Sequence, residues 1–174
     1  MSNYKELLIG CGNNKNKKVW LGDSGKSNFE NLVTLDISDS CSPDVVWDLC
    51  NVPLPFDDNQ FDEIHAYEVL EHTGAQGDYK FFFKQFSDFH RILKPGGILI
   101  GICPAWNSED AWGDPSHTRV ISPLTILFLS QTEYANRVGS TPMSDFRYLY
   151  SADFEIIHSE LRDQKFLFGI KARK

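Results

Sequence analysis

Apolar positions in this chain gather into short runs, separated by polar stretches rich in Gly, Pro, Asn and Asp. The runs Glu6–Gly10, Leu32–Asp36, Val45–Asp48, Phe61–Tyr67 and Gly97–Cys103 have the length and continuity of buried strands. Two more, Phe154–Glu160 and Lys165–Ala172, are separated only by Arg162–Gln164, which predicts an antiparallel hairpin. Helical spacing covers Asp78–Leu93 and Pro123–Val138, the second preceded by Ser122 as an N-cap. Lys94-Pro95-Gly96-Gly97 marks a stop and a turn between the first helix and the fifth strand. The order predicts an α/β fold, doubly wound, with a mostly parallel seven-stranded sheet and one domain over residues 1–174. Asn13–Asn31 is polar and broken by Gly22 and Gly25, so the first crossover helix is expected to be short or missing.

Composition narrows the picture. With 17 Lys and Arg against 24 Asp and Glu, the net charge of −7 disfavours a general grip on nucleic acid. The basic end Lys171–Lys174 is read as a solvated terminus. The four cysteines show no Cys-x-x-Cys spacing, no apolar run reaches membrane-spanning length, and the first 20 residues hold no apolar signal core. A cytoplasmic protein with structural thiols and no membrane contact is the expectation.

Candidate chemistry begins where strands end. Leu7-Leu8-Ile9 runs into Gly10-Cys11-Gly12, a strand followed by a turn with little side chain in the way. The second strand ends in Asp36, followed by Ile37, and the third is followed by Asp48-Leu49. In a parallel sheet these ends open on one crevice, where glycine N–H groups and a carboxylate suit a nucleoside diol. Asn14 stands where a dinucleotide fingerprint carries its final glycine, and no full helix follows to receive a pyrophosphate.

Leu8-Ile9-Gly10-Cys11-Gly12, Asp36, Asp48-Leu49, Pro53-Leu54-Pro55-Phe56, Phe61-Asp62-Glu63-Ile64, Glu68-Val69-Leu70-Glu71-His72 and Leu93-Lys94-Pro95-Gly96-Gly97 occur in this order. Together they resemble the class I S-adenosylmethionine-dependent methyltransferases, with their Rossmann-like fold, over nearly the whole chain. The resemblance implies S-adenosylmethionine as cofactor. It assigns Gly10, Cys11 and Gly12 to the turn under the methionine part, Asp36 and Ile37 to the ribose, Asp48 and Leu49 to adenine, and Tyr67 to the methionine side. Two positions depart from the family pattern: Leu8 replaces an acid, and Asn14 replaces a glycine, which asks Asn14 for a glycine-like backbone. Small methyltransferases of bacteria and phages share the short first loop, Pro-Leu-Pro-Phe, and Trp-Gly-Asp-Pro-x-His, here Trp112–His117.

The Glu68–His72 run is similar to the metal-binding motif of ubiquinone-pathway O-methyltransferases and small-RNA 2′-O-methyltransferases. If helical, it places Glu68, Glu71 and His72 on one face, and His117 could complete a divalent-metal site. Without metal, His72 or His117 could act as general base, or both could be hydrogen-bonded structural residues. His65 and His90 fall in apolar segments and read as structural. Phe81, Phe82, Phe83, Phe86 and Phe89 read as core packing, Trp106 and Trp112 as a substrate wall or lid, and Thr73–Gly77 as a rim. The function expected is methyl transfer to an oxygen acceptor on a small molecule or glycan. The alternative is a catalytically silent binding scaffold on the same fold.

Overall fold

The computed structural model describes residues 4–21 and 27–174. Seven strands form one sheet: β1 (Glu6–Ile9), β2 (Leu32–Asp36), β3 (Val45–Val46), β4 (Phe61–Tyr67), β5 (Leu93–Pro104), β6 (Asp153–Arg162) and β7 (Lys165–Arg173). Their spatial order is β3-β2-β1-β4-β5-β7-β6. The pairs from β3 through to β5 are parallel, and β7 runs antiparallel to both β5 and β6. The sheet is thus mixed and mostly parallel, as in a Rossmann-like methyltransferase fold. The β6–β7 hairpin closes through Asp163 and Gln164, both left-handed at φ 50° and 62°, the geometry of a two-residue primed turn.

Helix α1 (Tyr79–Ile92) crosses from β4 to β5, capped by the Asp78 side chain, which accepts from Phe81 N–H. It buries Phe83, Phe86, Phe89 and Ile92 against Leu7, Ile9, Ile64 and Leu99, so the aromatic run is core. Short α2 (Asp110–Gly113) follows β5. The helix expected over Pro123–Val138 is two: α3 (Pro123–Leu127) and α4 (Gln131–Arg137). Ser122 caps the first, and Ser130 interrupts the run because its hydroxyl accepts from Glu133 N–H and starts a new helix. β5 also begins earlier than the glycine signal implies. Leu93 pairs with Phe61 and Ile98 with Glu63, so Lys94–Gly97 bulge out of register, with Gly96 at φ 78°.

The Pro53–Phe56 segment is fastened by α1. Asp88 accepts from Leu54 N–H at 2.7 Å, and Arg91 donates to the carbonyls of Leu54 and Phe56 and to Asp58.

The opposite sheet face has no helix over it among the described residues. Its cover is the stretch after Gly12, of which Gly22 and Gly25 lie outside the described residues. Here Glu6, Glu63 and His65 project from β1 and β4 with no exposed surface. Two buried carboxylates on neighbouring strands need a counter-cation, and Lys17 supplies it, at 2.6 Å from Glu6 and 3.1 Å from Glu63. Tyr4 donates to Glu63 at 2.5 Å, and His65 Nε2 stands 2.9 Å from Glu63. A buried ammonium therefore does part of what a packed crossover helix does elsewhere: it pins a polar loop to an apolar sheet.

Burial alone would raise the Glu63 carboxyl, but hydrogen bonding with His65, Tyr4, Glu6 and Lys17 outweighs it and holds it well below the ordinary 4.5. The folded value lies below the unfolded one. The Glu63 contribution to stability is complete above pH 4.5 and is lost as pH falls below it. Lys17→Met strands both carboxylates. At pH 7 it should cost about 3–5 kcal/mol in urea unfolding, with wild type and variant converging as the buffer is taken below pH 4.5.

Candidate active site

The carboxyl ends of β1, β2 and β4 and the segment after β3 meet around a cavity of about 320 Å³. Gly10, Asp36, Ile37, Asp48 and Leu49 are on its wall, together with Trp47, Cys50, Glu68, Val69, His72 and Thr73. Gly10 is left-handed at φ 59°, and a Cβ there would collide with Val69, so only hydrogen fits where β1 leaves the sheet beside β4. Gly12, at φ 50°, is off the wall and works from behind. Its N–H donates to Asp36 Oδ2 at 2.9 Å, while Ser38 N–H donates to Oδ1 at 2.9 Å. Two amides thereby aim the Asp36 carboxylate, and each oxygen keeps a lone pair for a further donor. Asp48 Oδ1 accepts from Cys50 N–H at 2.8 Å, and the Leu49 carbonyl accepts from Gln85.

Cys11 and Tyr67 are placed otherwise. Cys11 is buried with Leu8 and Ile98 on the loop-covered face, where burial and the Asp36 charge raise its thiol pKa. Side-chain direction alternates along a strand, and Tyr67 shares the face of Glu63 and His65. Its hydroxyl sits 2.7 Å from His65 Nδ1 and 3.4 Å from Val19 N, so the ring anchors the loop and is not on the cavity wall. Burial pushes that hydroxyl up to about 12. Asn14 is not among the residues with positive φ; its side chain accepts from Asn16 N–H in a local turn, so the chain absorbs the missing glycine without a left-handed residue there.

A second cavity of about 510 Å³ adjoins the first, and Glu68 and His72 are on the walls of both. Its wall is acidic: Glu68, Glu71, Glu109, Asp110 and Asp114 face His72, His117 and the single lysine Lys165. The Glu68–His72 run is not an α-helix. Glu68 is left-handed at φ 54°, and a single 3₁₀ turn covers Leu70–His72. A non-glycine residue in that region is strained, and here the strain sits at the junction of the cavities. The irregular start breaks the i, i+3 relation, and Glu68 turns to Lys165 Nζ at 3.1 Å. Glu71, His72 and His117 do converge, one ligand atom from each lying within 4.8 Å of the others. Glu68 is not in that group.

The Trp112–His117 motif explains the convergence. Asp114 accepts from Ser116 N–H and hydroxyl, and His117 N–H donates to the Asp114 carbonyl, forming a tight turn. That turn sets Ser116 against His72 Nδ1 at 3.1 Å and stacks the His117 ring edgewise on His72 at 4.7 Å. Thr118 and Arg119 N–H groups both donate to the Glu71 carbonyl and lock the two segments together. Trp112 Nε1 donates to the Trp106 carbonyl, and both rings are exposed beside this turn.

The Glu71 side chain is 2 % exposed, and neither of its carboxylate oxygens has a partner among the described residues; nor does His117 Nδ1. Burial raises the Glu71 carboxyl above its ordinary value. Lys165 at the start of β7 and Glu109 and Asp110 at the start of α2 carry no shared motif in the sequence. Their only signal is position at or just beyond a carboxyl-end loop.

The topology, the bare turn at Gly10 and the aimed acid at Asp36 meet at one strand-end cavity of an α/β fold. The methyltransferase domain family matches residues 7–101, and the chain belongs to it. It is 28 % identical over 108 residues to a sterol 24-C-methyltransferase of Pneumocystis carinii (strain B80); the match covers 62 % of this chain and 25 % of that protein. A SAM dependent methyltransferase from Archaeoglobus fulgidus superposes with TM-score 0.60 at 16 % identity, covering 97 % of this chain and 86 % of the other. The N-methyltransferase NodS from Bradyrhizobium japonicum WM9, in complex with S-adenosyl-L-homocysteine, gives 0.56 at 13 % identity, covering 98 % and 79 %. Among the described residues no helix is long and apolar enough to cross a membrane.

Gly10→Ala tests the bare turn. The collision with Val69 should cost about 1–3 kcal/mol in thermal or denaturant unfolding, more than any exposed glycine such as Gly113, where a Cβ meets open space.

Proposed function

We propose that this protein transfers a methyl group from S-adenosylmethionine to a hydroxyl of a small molecule or glycan. The observation that carries the reading is the shared wall: one cavity lined by aimed acids opens beside a second, acidic one, with Glu68 and His72 between them. When bound, S-adenosylmethionine supplies an electrophilic methyl on a sulfonium. Asp36 has lone pairs left for the two ribose hydroxyls, and Asp48 has the acceptor chemistry for the adenine amino group. The acid-rich second cavity favours a positive centre nearby and holds the acceptor in line, which is where most of the rate arises.

His72 and His117 are the candidate bases. Ser116 engages His72 Nδ1, which leaves Nε2 of an exposed ring, on the walls of both cavities, to take the acceptor's proton. His117 stands edgewise on that ring with its Nδ1 buried and unpartnered.

A second observation favours a divalent cation in the same place. Glu71, His72 and His117 offer a mixed nitrogen and oxygen set, and the orphaned Glu71 oxygens and His117 Nδ1 are the atoms an ion would satisfy. It would lower the pKa of an acceptor hydroxyl. The comparisons with known proteins lend the ion no support. The buried trio Glu6, Glu63 and His65 is not a rival site, because Lys17 already occupies its centre.

Calorimetry with S-adenosylhomocysteine should show one site per chain, and Asp36→Ala should weaken it at least tenfold. A wild type that binds none would leave only the scaffold reading. For the ion, titration with Mn²⁺ should show binding that Glu71→Gln and His117→Ala each weaken about tenfold or more. Equal Mn²⁺ affinity in all three proteins would remove the metal and leave an imidazole, His72 or His117, as base.

A further inference from the structure

A third cavity, of about 200 Å³, lies between the start of α1, the segment after His117 and α3, and shares no wall residue with the other two. Its wall is largely aromatic, with Phe82, Phe83, Phe128 and Phe146, and it holds one buried cation, Arg119, 6 % exposed. Arg119 Nε donates to the Leu70 carbonyl at 2.8 Å, and Nη2 donates to Thr73 Oγ1 at 2.7 Å and Gln85 Oε1 at 2.5 Å. All three acceptors are neutral, and none of them is on the cavity wall. Nη1 is buried and has no partner, and no carboxylate pairs with the guanidinium among the described residues. The Phe81 and Phe82 rings lie 5.8 and 5.9 Å from its centre.

A buried cation that no carboxylate touches is costly, even with the Glu71 and Asp78 charges near enough to offset part of it, and the unpartnered Nη1 adds to the cost. A guanidinium stays protonated at neutral pH. Asp78, also on the wall, is the N-cap of α1 and accepts from Phe81 N–H, so it does not neutralise Arg119 by contact. Its charge repels an anion at the Asp78 side and leaves Arg119 as the single favourable place for one.

We propose that this cavity is a binding site for a small aryl carboxylate, with the carboxylate on Arg119 Nη1 and the ring among Phe82, Phe83 and Phe128. The volume fits: an engineered apolar cavity of about 150 Å³ accepts benzene, and a carboxylate adds a few atoms. The aromatic wall matches a ring, and the lone donor matches an anion. The site is separate from the methyl-transfer cavities but is tied to them. Arg119 holds Thr73, a wall residue of the cofactor cavity, and Gln85, which donates to the carbonyl of Leu49 on that same wall. The ligand is therefore placed to act on the cofactor cavity from behind, without entering it.

Benzoate is the probe, titrated by calorimetry into the full chain without cofactor, so the outcome does not depend on the methyl-transfer reading. One saturable site is expected, with benzyl alcohol at least tenfold weaker. Ala75→Trp places a large ring in the exposed loop that forms part of the wall and leaves the Arg119 hydrogen bonds intact; it should abolish binding. Arg119→Gln should weaken benzoate at least tenfold and leave benzyl alcohol nearly unchanged. If Arg119→Gln fails to fold, the Ala75→Trp and benzyl alcohol comparisons still decide. No saturable binding, benzyl alcohol equal to benzoate, or unchanged affinity in Ala75→Trp would each overturn the proposal.

Discussion

The fold depends on how two carboxylates buried on adjacent parallel strands are neutralised. Glu6 and Glu63 sit on the sheet face that carries no helix among the described residues, and no arrangement of apolar neighbours can satisfy them. Lys17 does so from the loop that follows the Gly10 turn, with His65 and Tyr4 completing the hydrogen bonding. Because the same loop also meets the Tyr67 hydroxyl, the end of β4 and the path after β1 are fixed together. The position of Gly10 against Val69, and so the floor of the cavity beneath Asp36, follows from that anchoring.

Helices on the other face do a different job. α1 carries the aromatic ridge that fills the core, and its polar residues reach outward to hold irregular segments. Asp88 and Arg91 hold Pro53–Phe56, while Gln85 holds Leu49. One helix therefore positions two separate stretches after β3, and the Asp48–Leu49 side of the cavity inherits its shape from α1.

Much of this was legible in the sequence. Continuous apolar runs predicted all seven strands, and the short gap Arg162–Gln164 predicted the hairpin. The carboxyl-end logic brought Gly10, Asp36, Asp48 and Leu49 to one cavity. What failed did so for local reasons. A serine in mid-helix divided α3 from α4, and a left-handed Glu68 replaced the helical start that would have aligned it with Glu71. The side chains of Tyr67 and Cys11 lie on the loop-covered face, which for Tyr67 follows from strand alternation with Glu63 and His65. The Lys17 network was invisible because Asn13–Lys18, a polar run of Asn and Lys, reads as an exposed loop, with nothing to single out one of its three lysines. The Arg119 cavity was invisible because its wall comes from four separate segments.

The wall between the two larger cavities carries a consequence for energetics. One imidazole, that of His72, belongs to both chambers, and so does the strained backbone at Glu68. An occupant of one chamber that moved that imidazole would change what an occupant of the other meets. Linkage would then make the effect mutual, each altering the other's dissociation constant by the same factor.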